Sequence, residues 1–192
     1  MTRPGKRGKT ASDPLRPMNL VHPTYVCLDL PEPQASELMA LRRRYCQRLR
    51  DFPPEVTIAG SSGVGAIRRE LHWDRVEPKL ARFARESPPL CASFGGVVRF
   101  PETDIFCLSM GDPMPFSAIH DRLRHSGISF EDSQFPFFPH CTIRMAGPLT
   151  EADISALFSI SIPGEFVLGR VSLYQRTPDD RIVKVWSHAL TG

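Results

Sequence analysis

From residue 24 onward, short runs of alternating polar and apolar residues are interleaved with segments in which apolar residues recur every three or four positions. Alternation places successive side chains on opposite faces of a strand, whereas the wider spacing lines one face of a helix. Residues 24–30 predict a first strand, ended by Pro31 and Pro33. Leu38, Leu41, Tyr45 and Leu49 then predict a helix over 34–49, closed by Pro53 and Pro54. A second strand follows at 55–59, and a loop at 60–65. Residues 66–86 predict a loop and a helix interrupted at Pro78, with its second half at 79–86. Residues 90–100 form a strand with a bulge or close approach at Gly95-Gly96. Its antiparallel neighbour, 104–110, lies across the turn at 101–103.

The second half of the chain repeats this grammar. A helix is predicted over 116–126 and stopped by Gly127, followed by a strand over 135–145 and a helix capped by Thr150 that runs to about Phe158. Two closing strands, 165–176 and 181–190, meet at the turn Pro178-Asp179-Asp180. The order predicts an α+β fold of two similar halves, each opening strand, helix, strand.

A chain of 192 residues suits one generous domain. Its formal charge of +3 suggests a nucleic-acid partner until it is divided along the sequence. Residues 1–18 carry five basic side chains and one acidic, which leaves 19 basic against 20 acidic in the remainder. The folding part is therefore not a broadly basic surface. With few apolar residues, residues 1–18 read as a disordered basic tail and 19–192 as a single two-lobed domain. No secretory signal and no run long enough to span a bilayer is apparent, so the expectation is a cytoplasmic protein with no membrane partner. The five cysteines are widely spaced, with no Cys-x-x-Cys pair and no zinc-site spacing, which fits free thiols and no metal.

The candidate chemistry lies in Pro139-His140-Cys141-Thr142-Ile143. On a strand, His140 and Thr142 share one face, roughly 7 Å apart, while Cys141 and Ile143 point to the other. In the first half, Glu55-Val56-Thr57-Ile58 has the same polar-x-Thr-Ile pattern, also after a proline. The threonine recurs and the histidine is a glutamate.

With these paired motifs the chain resembles the two-histidine phosphoesterase superfamily, which includes the bacterial RNA 2′,3′-cyclic phosphodiesterases historically called 2′-5′ RNA ligases. The resemblance runs from about His22 to Leu190. It includes residues 26–31 ahead of the first helix, Gly95-Gly96-Val97-Val98-Arg99-Phe100, residues 138–144, and the closing Val171-Ser172-Leu173-Tyr174. It implies two pseudo-symmetric lobes with mainly antiparallel sheets around a central cleft. It also implies metal-independent acid/base attack on a 2′,3′-cyclic or 2′-5′ phosphodiester, with no cofactor and with a nucleotide or RNA terminus as partner; a monomer is expected.

Carried over residue by residue, His140 becomes a general acid or base, and Thr57 and Thr142 become phosphate-positioning hydroxyls. Arg144, two beyond Thr142, adds charge if the strand stays regular. Glu55 takes the second proton-transfer position. As a carboxylate it can accept a proton from water, but it also faces an anionic substrate, a repulsion of about 4 kcal/mol at about 4 Å and an effective dielectric near 20. Two readings follow: an enzyme with Glu55 as base and His140 as acid, or a member of the same fold that binds a nucleotide or RNA end without cleaving it. His22-Pro23-Thr24 fits the motif letters but precedes the first helix, and reads as coincidence. The glycines of 60–65 do not match a phosphate loop. His72, His120, His125 and His188 read as surface or capping residues, and Phe135, Phe137 and Phe138 as a stacking surface or a half-buried strand.

Overall fold

The computed structural model describes residues 20–192, so the tail expected at 1–18 lies outside the described residues. Ten strands and four helices follow one another: β1 (Thr24–Asp29), α1 (Gln34–Tyr45), β2 (Glu55–Ala59), β3 (Val64–Ile67), α2 (Trp73–Glu86), β4 (Leu90–Arg99), β5 (Phe106–Met110), α3 (Met114–Arg124), β6 (Phe130–Asp132), β7 (His140–Arg144), α4 (Glu151–Phe158), β8 (Glu165–Leu168), β9 (Arg170–Arg176) and β10 (Ile182–Ala189). Two four-stranded antiparallel sheets, ordered β10-β9-β1-β2 and β7-β5-β4-β8, form the two lobes of an α+β fold. The motif strands β2 and β7 are the edge strands of their sheets.

One contiguous core runs through both lobes. Val26, Leu28, Val56, Ile58, Leu108, Ile143 and Leu173 come from the strands, and Leu38, Leu80, Leu123 and Leu157 from the four helices. Alternation explains why the motif strands can serve two purposes at once. In β2, Val56 and Ile58 are fully buried while Glu55 and Thr57 stay half-buried. In β7, Cys141 and Ile143 are fully buried while His140 and Thr142 stay half-buried.

The predicted break at Pro78 does not occur. Pro78 costs α2 one backbone hydrogen bond, but Trp73, Val76, Leu80, Ala81, Phe83 and Ala84 all bury on one face, and their burial outweighs the loss. The predicted strand 165–176 divides instead at Gly169. β8 pairs with β4 in one sheet and β9 pairs with β1 and β10 in the other, so this single run of chain passes between the lobes.

The predicted strand 135–145 shortens to β7, because Pro136 and Pro139 lack the N–H a ladder requires. The chain ahead of it supplies β6, which pairs with β3. This ribbon ties the loop after β2 to the loop before β7. Gly63 N–H donates to the Phe135 carbonyl at 2.8 Å, and Ser133 Oγ donates to the Ser61 carbonyl at 3.0 Å. Gly63 sits at φ +68° against His120, and a Cβ there would lie 2.3 Å from His120 Cε1, so glycine is required.

His120, expected at the surface, is only 2 % exposed. Its Nδ1 lies 2.7 Å from the Ile58 carbonyl and its ring stacks on Phe137 at 4.0 Å between centroids. It pins α3 to β2, beside the motif threonine.

Four of the five cysteines are buried and only Cys91 is exposed. Burial, then the nearby Glu55 charge, pushes the Cys27 and Cys141 thiols well up, and burial pushes Cys107 up to about 12. Thiols held above their ordinary range stay protonated and unreactive at about pH 8. Titration with a thiol reagent at that pH should therefore modify one cysteine rapidly and the other four only after denaturation; two or more fast thiols would contradict the packing.

Candidate active site

Glu55, Thr57, His140 and Thr142 line one cleft between the lobes, together with Tyr25, Cys27, Arg42, Arg48, Arg176 and Tyr174. The ladder registers show how closely the halves correspond. In the first lobe Thr57 lies opposite Cys27, and Glu55 opposite Asp29. In the second, Thr142 lies opposite Cys107, and His140 opposite Ser109. Each lobe thus sets its threonine across from a cysteine on the adjacent strand, and its proton-transfer candidate one step further along. The edge strands are also bonded to each other, since Cys141 Sγ donates to the Glu55 carbonyl at 3.2 Å.

His140 is held by its backbone surroundings. Its Nδ1 is 2.7 Å from the Phe138 carbonyl, and because a carbonyl only accepts, Nδ1 carries the proton. Nε2 is left as the working nitrogen. Phe100 meets the ring edge-on at 5.2 Å, and Phe138 lies nearly parallel at 5.6 Å. The imidazole therefore has a fixed tautomer and a fixed plane.

The glutamate side is organised differently. Thr57 Oγ1 donates to Glu55 Oε2 at 2.9 Å, and Cys27 Sγ approaches Thr57 Oγ1 at 3.8 Å. The Thr57 hydroxyl proton is committed to the carboxylate, so Thr57 presents lone pairs until it rotates. Thr142 Oγ1 makes no hydrogen bond to a described residue and is free to donate.

Arg144 does not add charge to the cleft, as the even spacing from Thr142 predicted. It is 3 % exposed, and its guanidinium donates to the carbonyls of Tyr45 (2.7 Å), Pro148 (3.2 Å) and Gly147. Tyr45 is the last residue of α1, so Arg144 caps that helix, where a cation also meets the negative end of the dipole. The strand ends at Arg144 and the helix terminus covers it.

The charge comes from elsewhere. Arg42, 2 % exposed, sits at the cleft floor and donates from Nε to the Thr142 carbonyl at 2.9 Å and from Nη1 to the Phe52 and Pro53 carbonyls at 2.9 and 3.0 Å. Burial lowers its pKa from the ordinary guanidinium value and the Glu55 carboxylate counters that shift, while the group remains a cation in any normal pH range. Arg48 and Arg176 line the cleft further out. Three arginines against one glutamate leave the lining positive even with Glu55 ionised. Arg42, bonded to the Thr142 carbonyl, is the arginine placed to offset the roughly 4 kcal/mol repulsion that Glu55 alone would impose on a phosphate, while Arg48 and Arg176 are paired with Asp180.

Arg42 was detectable. The stripe of Leu38, Leu41, Tyr45 and Leu49 passes over position 42, four beyond Leu38, and the structure buries Arg42 with Gln34 and Leu38 while Arg43 and Arg44 are solvated. Arg48 and Arg176 carry no such signal, since only the tertiary fold joins them. His22 does not line the cleft; its carbonyl accepts from Thr24 Oγ1 at 2.8 Å. Among the described residues, no three His, Cys, Asp or Glu side chains converge in the manner of a metal site, and no helix is long and apolar enough to cross a membrane.

A family model described as the 2′-5′ RNA ligase superfamily matches residues 30–180. The chain belongs to that superfamily. The span includes both motif strands and the arginines of the cleft. The fold is also that of solved structures at low identity. TT0787 of Thermus thermophilus superposes with a TM-score of 0.61 at 18 % identity, covering 88 % of this chain and 98 % of that one. Escherichia coli LigT complexed with 3′-AMP gives 0.59 at 17 % identity, covering 89 % and 99 %, and LigT complexed with NADP+ gives 0.60 at 17 % with the same coverage. No curated protein matches the sequence. Superfamily membership supports a phosphoesterase-type function.

Proposed function

We propose that this protein hydrolyses a 2′,3′-cyclic or 2′-5′ nucleotide or RNA phosphodiester, with Glu55 as general base and protonated His140 as general acid. The observation that carries this reading is the meeting of Glu55, Thr57, His140 and Thr142 in one cleft whose lining is net positive. In the hydrolytic step Glu55 takes a proton from water as its oxygen attacks phosphorus. The bond from phosphorus to one ribose oxygen breaks, and His140 Nε2 gives that oxygen its proton. The product is a phosphomonoester, and solvent returns the proton from Glu55 to His140. Thr142 donates to a non-bridging oxygen, while Arg42 supplies positive charge from below and holds the Thr142 backbone in place. Thr57 orients Glu55 before attack. Nucleotides in the complexes of LigT with 3′-AMP and NADP+ support a ligand of that class.

The test is turnover of adenosine 2′,3′-cyclic monophosphate by the native protein and by Glu55→Gln, which keeps an acceptor for Thr57 but cannot take a proton. A loss of about a hundredfold or more is expected; an unchanged rate would exclude Glu55 as base.

A second reading is favoured by one observation, the commitment of the Thr57 hydroxyl to Glu55. A lobe satisfied internally in this way suits a protein that binds a nucleotide or RNA end without cutting it. It would show affinity without product, and Glu55→His would then raise activity sharply.

A further inference from the structure

The cleft carries a second cationic centre that the hydrolytic step does not use. Arg48, on the 3₁₀ turn Gln47–Leu49, and Arg176, at the end of β9, both line the cleft, and both are held by a single carboxylate. Asp180 Oδ2 lies 3.2 Å from Arg48 Nη2, and Asp180 Oδ1 pairs with Arg176. Two guanidinium groups share one negative charge, and most of their roughly ten N–H donors remain uncommitted to it. Asp180 sits in the turn between β9 and β10 and does not itself line the cleft.

Register separates this pair from the reacting phosphorus. Thr57 lies opposite Cys27, which lies opposite Ser172, and Arg176 is four residues further along β9. Two strand spacings across and four residues along put the backbones of Thr57 and Arg176 about 16 Å apart. An arginine side chain shortens that gap without closing it. A phosphate held by Thr142 and attacked beside Glu55 is therefore not the group that Arg176 is placed to meet, and Arg48 is joined to Arg176 through Asp180.

We propose that Arg48 and Arg176 form a second phosphate subsite, occupied by Asp180 in the free protein. It would take a further phosphate of the same substrate, either a 5′-phosphate or the next diester of an RNA end. This inference rests on the phosphoesterase reading. A terminal phosphate dianion brings more charge than Asp180, and a diester brings equal charge with two non-bridging oxygens that match the planar forks of two guanidinium groups. Either therefore competes with the carboxylate, and the terminal phosphate more strongly. A substrate with two phosphates is bound at both ends of the cleft, and one with a single phosphate at only one.

The experiment is calorimetric binding, at fixed ionic strength, of adenosine 3′-monophosphate, adenosine 3′,5′-bisphosphate and the dinucleotide ApAp with a 3′-terminal phosphate. The readout is the ratio of each affinity to that of the monophosphate. The native protein should favour at least one two-phosphate ligand by about tenfold or more, and Arg48→Gln with Arg176→Gln should bring that ratio close to one. Asp180→Asn should raise the ratio, because it removes the competing charge while asparagine tolerates the φ of +62° at this position. This opposite response would persist even if the double arginine variant failed to fold. A gain with the bisphosphate assigns the subsite to a terminal phosphate and a gain with ApAp to the next diester; either sustains it. Equal affinities for all three ligands would overturn the subsite and leave the phosphoesterase reading standing. No binding of any ligand would overturn both.

Discussion

His140→Ala should reduce turnover of a nucleoside 2′,3′-cyclic phosphate by about a hundredfold to ten-thousandfold, the range that general acid–base groups supply. The structural reason is the fixed imidazole. Nδ1–H is held by the Phe138 carbonyl, and Phe100 and Phe138 confine the ring, so Nε2 alone is left to act. Alanine removes the proposed acid but leaves Arg42, Thr142 and the rest of the lining. The loss should therefore fall on the chemical step, with affinity for a nucleoside monophosphate changing by less than about tenfold. Steady-state kinetics set beside product binding separates the two effects. Equal product from the native and variant proteins would remove His140 from the mechanism.

Arg42→Met should destabilise the fold by about 3 kcal/mol or more, because it leaves the carbonyls of Thr142, Phe52 and Pro53 without their donor in a buried site. In a domain of this size that lowers the thermal midpoint by roughly 6–12 °C. Arg43→Met, on the exposed side of the same helix, is the matched control and should stay within about 0.5 kcal/mol. The contrast is informative because Arg42 spans the two lobes: it reaches the edge strand that carries Thr142 and the loop that leads into Glu55. A loss no larger than that of the control would mean that the lobes are held in register by other contacts. Thermal unfolding followed by circular dichroism measures both variants.

The fold could be read from the sequence where side-chain alternation decides the answer. β1, β2 and helices α1, α3 and α4 lie close to their expected positions, since burying Leu28, Val56, Leu38 or Leu157 requires those periods. Partner choice was less legible. A run of alternating residues does not disclose that Gly169 ends one strand and starts another in a different sheet, and three-residue β6 is too short to show any period. The site divides in the same way. The spacing of His140 with Thr142, and of Glu55 with Thr57, announced the paired strands, and Arg42 lay legibly on the inward stripe of α1. Arg144 shows the limit of that method. Even spacing puts it on the face of Thr142, but the last carbonyl of α1 claims it. Arg48 and Arg176, far apart in sequence, meet only through the turn that carries Asp180.

In the proposed mechanism Glu55 and His140 act in one hydrolytic step, the first accepting a proton from water and the second donating one to the leaving oxygen. A double-mutant cycle tests this most directly, using single-turnover hydrolysis of adenosine 2′,3′-cyclic monophosphate by the native protein, Glu55→Gln, His140→Ala and the double variant. Groups that act as a unit are not additive, so the double variant should be no slower than the worse single variant by more than a few-fold. Losses that multiply in full would mean that the two residues contribute independently, and would contradict concerted action.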